Sequence, residues 1–147
     1  MTPRPFRTMI VFLFCIAALI GVPQKPSAQE PGESRALTEA VIRSQLEAMA
    51  TGDDARAYSY AAPSIQDMFP TADIFMQMVR DGYGALIAPV DFAFQRFESR
   101  DGRAIQVLNV VDRQGRLWRA TYRMRRLEDG SWRIAGCMIE EIPGGSV

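Results

Sequence analysis

The sequence predicts an α+β fold in which helices come first and a four-stranded antiparallel meander follows. Three observations carry this prediction. As far as Gly82, apolar residues recur with the 3.6-residue period of helices. From Pro89 the period falls to two, as a half-buried strand requires. Three turn dipeptides, Asp101-Gly102, Gln114-Gly115 and Asp129-Gly130, then divide the second half into four strands.

Each element has a local reason. Residues 1–28 begin with Arg4 and Arg7, continue through the apolar run Met9–Val22 and exit near Ala28, which reads as a secretory signal peptide. That run is shorter than the roughly 20 apolar residues a bilayer span needs, so no stable span is expected after cleavage. Residues 29–36, rich in Pro, Ser and Gly, read as a linker, with Ser34 as a helix cap. The domain proper is expected over 37–142, with 143–147 as a tail. Its first helix sets Leu37, Val41, Ile42, Leu46 and Met49 on one stripe and stops at Gly52. Asp53 or Asp54 caps a second helix, which Pro63 ends. Ser64 and Thr71 start two further helical segments, and Gly82 and Gly84 break the last.

Strand registers follow from the turns, because paired residues share a face. Two-residue turns at Asp101-Gly102 and Gln114-Gly115 pair Phe94 with Asn109, Asn109 with Ala120, and Val111 with Trp118. A three-residue loop over 128–130, with Gly130 left-handed, pairs Met124 with Ile134. The predicted core face is then Phe92, Phe94, Ile105, Val107, Val111, Trp118, Ala120, Tyr122, Met124, Trp132, Ile134 and Met138. The arginines of "WRATYRMR" point the other way.

Composition excludes more chemistry than it offers. There is no histidine, which removes Ser-His-Asp and Cys-His catalysis and most transition-metal sites. After residue 28 there is no lysine, so there is no Schiff base. Fourteen arginines there face seventeen acidic residues, a formal charge of −3, which is not the basic balance of a nucleic-acid binder. One cysteine, Cys137, remains, too few for an intramolecular disulfide; a buried apolar role suits it. No cofactor and no metal are expected, since no acidic loop has calcium-binding spacing.

The landmarks "QLEAM", "DD…AY…AAPSI", "F…MVRDGY", "QVLNVVD", "W.A.Y" and "GSWRIAGC" together resemble a family of short secreted bacterial proteins, the domain-of-unknown-function 4864 family. The resemblance covers about Val41 to Ile139. Three helical segments ahead of a meander also resemble the cystatin-like and nuclear-transport-factor-2-like α+β cone. The resemblance implies a fold and a secreted, periplasmic location. It carries over no catalytic or binding residue.

Three candidate sites remain. The cone interior offers Tyr58, Tyr83, Asn109, Trp118 and Tyr122 as the lining of a small-molecule pocket. A cavity above roughly 300 Å³ with Asn109 facing inward would favour ligand binding. The outer sheet face mixes Phe97, Leu108, Arg119, Arg123, Arg125 and Arg133, a composition suited to a homodimer or docking surface. Asp53, Asp54, Tyr58 and Tyr60 have the residue types of a small isomerase or lyase, although helix capping accounts for the aspartates. The expected function is non-catalytic binding of a small apolar or amphipathic ligand, or of a protein partner, by a secreted envelope protein. The alternatives are a homodimeric interaction module without ligand, and a small enzyme using Asp and Tyr.

Overall fold

The computed structural model describes residues 31–146. The signal-peptide reading of 1–28 therefore lies outside the described residues. Four helices, α1 (Pro31–Thr51), α2 (Asp54–Ser59), α3 (Pro63–Met68) and α4 (Ala72–Gly82), precede a short 3-10 turn at Gly84–Leu86. Strands β1 (Asp91–Arg100), β2 (Arg103–Val111), β3 (Arg116–Arg126) and β4 (Trp132–Ser146) form one antiparallel sheet in the order β1-β2-β3-β4. Helices followed by an open antiparallel meander is the α+β architecture the period change predicts.

The helix stops obey local chemistry. Gly52 leaves α1 at φ +73°, a conformation that costs glycine little. Asp53 caps α2 by accepting from the Arg56 N–H at 3.1 Å, and Thr71 caps α4 by accepting from Ile74 N–H at 3.2 Å. Pro63 opens α3 at a first-turn position instead of only ending α2, since its missing N–H needs no partner there. Residues 31–36 are helical, not linker, and Ser34 is buried inside α1 instead of capping it. At the other end β4 runs through most of the expected tail. The α2–α3 corner is pinned to the sheet: Ala62 N–H donates to Ile134 O at 2.8 Å, and Ile134 N–H donates to Tyr60 O at 2.9 Å.

The core lies between α1, α4 and one face of the sheet. Ile42, Leu46, Met49, Phe75, Met76 and Val79 meet Leu108, Val110, Ala120, Tyr122, Met124, Trp132 and Ile134. Arg43 lies over the rings of Phe92 and Phe94, with its guanidinium 5.4 and 5.1 Å from their centroids.

Two of the three turns match their sequence reading. Asp101 (φ 51°) and Gly102 (φ 71°) make a two-residue turn with both φ positive, the geometry that suits strand twist. The third turn is the three-residue loop, with Gly130 at φ 83° and Met124 opposite Ile134. The second turn differs. It is also a three-residue loop, with Asp112 N–H donating to Arg116 O and Gly115 at φ 75°. Asp112 selects it: its Oδ1 accepts from the N–H of both Gln114 and Arg116 at 2.9 Å, an Asx turn that a two-residue connection could not form.

One residue of slip turns β2 over. Leu108 pairs with Ala120 and is fully buried, so it belongs to the core and not to the outer face. Asn109 pairs with Arg119 and faces outward, and Ile105, Val107 and Val111 go with it. A bulge in β1 sets Gln95 and Arg96 against Val107 alone, which brings Phe97 opposite buried Gln106 on the core side. A second bulge at Ala135 in β4 puts Cys137 opposite Tyr122 and Ile139 opposite Ala120, while Met138 faces solvent.

Candidate functional site

Between the helices and the β3–β4 half of the sheet lies a cavity of about 240 Å³. Gln45 and Met49 of α1 form one wall. Ile65, Met68 and Phe69 of the α3 segment form the second, and Phe75, Met78 and Val79 of α4 the third. Tyr122, Ile134 and Cys137 are its floor, and Tyr83 and Leu86 close one end. The lining is mainly aliphatic, thioether and aromatic, with few polar groups.

The polar groups are specific. Tyr83 spends its hydroxyl on the backbone, donating to Cys137 O at 3.1 Å. Gln45 donates to Ala57 O at 3.1 Å and so ties α1 to α2. Tyr122 is different. It is 1% exposed, and its hydroxyl meets no partner in hydrogen-bonding geometry, with the Cys137 thiol as its polar neighbour. Burial pushes the Tyr122 phenol well up, and the neighbouring cysteine adds to the shift. Burial likewise pushes the Cys137 thiol up to about 12, against weaker opposing effects of Tyr122, the Met138 backbone and Arg123. At neutral pH both groups are protonated: one is a hydrogen-bond donor, the other a poor nucleophile.

Of the five residues expected to line the interior, Tyr83 and Tyr122 do so. Tyr58 packs on Phe75 with ring centroids 5.5 Å apart, and its hydroxyl donates to Phe69 O at 2.5 Å. Trp118 lies at the rim of the core face, half-buried beneath Arg116, with Nε1 donating to Asp112 Oδ2 at 2.9 Å. Asn109 is on the opposite face. The buried amide of β2 is Gln106, whose Nε2 donates to Arg96 O at 3.2 Å across the β1 bulge while its Oε1 is unpartnered. Sequence could not choose between them. One register buries Ile105, Val107 and Val111 with Asn109, the other Ala104, Leu108 and Val110 with Gln106, each an amide among apolar neighbours. Cys137 joins the lining for a different reason, the bulge at Ala135 that shifts β4 by one residue.

The carboxylates expected of an enzyme are engaged elsewhere. Asp53 caps α2, Asp54 pairs with Arg80, and the Tyr60 hydroxyl accepts from Arg56 Nε at 3.5 Å. Among the described residues, no Asp or Glu lines the cavity.

On the outer face Arg119, Arg123 and Arg125 are exposed and Arg133 is half-buried. Arg123 lies across Gly136, where a Cβ would come within 2.5 Å of its guanidinium, and there it also lines the cavity, as its one charged side chain among the described residues.

The family described as "Domain of unknown function (DUF4864)" matches residues 32–147. The chain belongs to this family. No curated protein matches this DUF4864 chain. Among solved structures, an NTF-2-like protein of unknown function from Silicibacter pomeroyi DSS-3 is 19% identical, with a TM-score of 0.56, and the match covers 78% of this chain and all of the other. An NTF2-like protein of unknown function from Shewanella baltica OS155 is 15% identical, with a TM-score of 0.54, covering 80% of this chain and all of the other. At these identities the DUF4864 chain shares with them a fold.

Proposed function

We propose that the chain is a non-catalytic binding protein that holds one small apolar or amphipathic ligand in the cone cavity. The observation that carries this reading is the Tyr122 hydroxyl, a buried donor at the cavity that among the described residues meets no oxygen or nitrogen acceptor and has only the weakly accepting Cys137 thiol beside it. An unsatisfied buried polar group costs about 1–3 kcal/mol, so a ligand oxygen that accepts from it relieves a penalty already present in the free protein. The cavity is below the roughly 300 Å³ at which drug-sized pockets begin. It exceeds the ~150 Å³ apolar cavity known to hold benzene. A single ring or short chain bearing one carbonyl or ether oxygen suits it. The protonated thiol and the absence of a lining carboxylate favour binding over the isomerase alternative. The signal-like N-terminal segment would place this binding in the periplasm, which fractionation of the source cells would check.

The test is Tyr122→Phe. Removing an orphan hydroxyl should leave stability unchanged or raise it by about 1 kcal/mol. A native mass spectrum of the protein purified from its source should show a small adduct that is released on denaturation and lost in the variant. Bare protein in both spectra, or an adduct indifferent to the substitution, would refute the reading.

A further inference from the structure

The outer face carries a second feature, which shares only Arg123 with the lining of the cavity. Arg100 pairs with Arg103, Arg103 with Arg125, and Arg125 with Arg133, so one row of the sheet has an arginine on every strand. Cross-strand partners share a face, and neighbouring strands lie about 4.8 Å apart, so the row spans about 14 Å. Like charges directly opposite one another oppose sheet formation. Among the described residues, Arg103, Arg125 and Arg133 form no ion pair, and Arg100 meets only its exposed neighbour Asp101 at 3.3 Å. Of the other nearby carboxylates, Glu98 is engaged by Arg96, and Asp129, which feels the Arg133 charge, is engaged by Ser131. Arg100, Arg103 and Arg125 of the row line an open groove that also includes Arg123, Ile105 and the two carboxylates Glu98 and Asp101, while Arg133 lies beyond it. Four cations are thus concentrated at one end of a sheet whose chain has no excess positive charge.

We propose that this groove docks an acidic segment of a partner protein, with carboxylates along the arginine row and an apolar side chain on Ile105. Guanidinium forks match carboxylates in geometry as well as charge. The apolar floor favours a peptide over a phosphate polymer, which would have no side chain to place there. A second copy of this chain fits poorly, because a two-fold contact centred on the row would set arginine against arginine.

The experiment uses a fluorescein-labelled eight-residue peptide of alternating Glu and Leu, measured by anisotropy against the wild type and an Arg103→Gln/Arg125→Gln variant. The wild type should bind it, more weakly as salt rises, and the variant should lose about tenfold or more in affinity. The melting temperature of the variant should be unchanged or higher, because the substitutions relieve repulsion. That readout separates a binding row from a structural one. No binding, equal binding by the variant, or a marked fall in its melting temperature would overturn the proposal. So would tighter binding of inorganic polyphosphate or of phosphatidylglycerol vesicles than of the peptide.

Discussion

The β2–β3 and β3–β4 hairpins are closed by the same three-residue loop and held by different means. In each, the N–H of the residue that precedes the loop, Asp112 or Leu127, donates to the carbonyl four residues on, and a left-handed glycine, Gly115 or Gly130, completes the turn. In the first, Asp112 leads into the loop and is 3% exposed. Its carboxylate accepts from two backbone N–H groups, Arg116 Nε and Trp118 Nε1, at 2.8–2.9 Å. In the second, Asp129 sits in mid-loop and is exposed, and it accepts only from the Ser131 N–H and hydroxyl, at 2.9 and 2.6 Å. The backbone geometry is shared; what differs is whether the carboxylate also anchors a tryptophan and an arginine of the following strand. A turn residue therefore becomes a core residue through what its side chain reaches.

The largest effect should come from Asp112→Ala. It orphans the Trp118 indole and two loop N–H groups, and the melting temperature should fall by on the order of 10 °C. A loss of under 2 °C would mean that the glycine alone holds the loop. The difference should depend on pH in a defined direction. Burial raises the Asp112 carboxyl, but the hydrogen bonds from Trp118, Arg116 and Gln114 outweigh it and hold the group below its ordinary value. A depressed carboxyl stabilises above its unfolded pKa, near 3.9, and that contribution is lost as pH falls through the folded value. Wild type and Asp112→Ala should thus differ fully at neutral pH and converge below about pH 4, as followed by circular dichroism.

Gly115→Ala and Gly130→Ala should each cost about 1 kcal/mol, since an L side chain at positive φ is strained wherever it stands. Unequal costs in chemical denaturation would show that the two loops are not alike. The smallest effect belongs to Asp129→Ala, with a melting temperature within about 2 °C of the wild type. A larger fall would make the exposed turn as demanding as the buried one.

The same hairpins show what was legible in the sequence. Asp101-Gly102 and Glu128–Gly130 are strong local signals, and the structure keeps both. In Asp112–Arg116 the visible signal was Gln114-Gly115, whereas the deciding residue was the aspartate two positions earlier. With apolar residues on both faces of β2, nothing else in the strand corrected the error. The bulges at Gln95–Arg96 and Ala135 leave no mark in an alternating pattern, because a strand with one extra residue reads like two strands out of phase. The fold class and helix stops were therefore readable, as were Tyr83 and Tyr122 in the cavity lining. Gln106, Cys137 and the Arg103–Arg125 pair that joins the arginine row were not, since their positions depend on those single-residue shifts.

Those bulges have a further consequence for the molecule as a solute. An open sheet has two edges, β1 and β4, each a row of backbone donors and acceptors that a flat foreign strand could extend. Both edges are irregular here, β1 at Gln95–Arg96 and β4 at Ala135 and again beyond Glu141. A bulged strand bends and twists, so an added strand could follow it over only part of its length. The irregularities that select which side chains face the cavity also guard the protein against edge-to-edge aggregation.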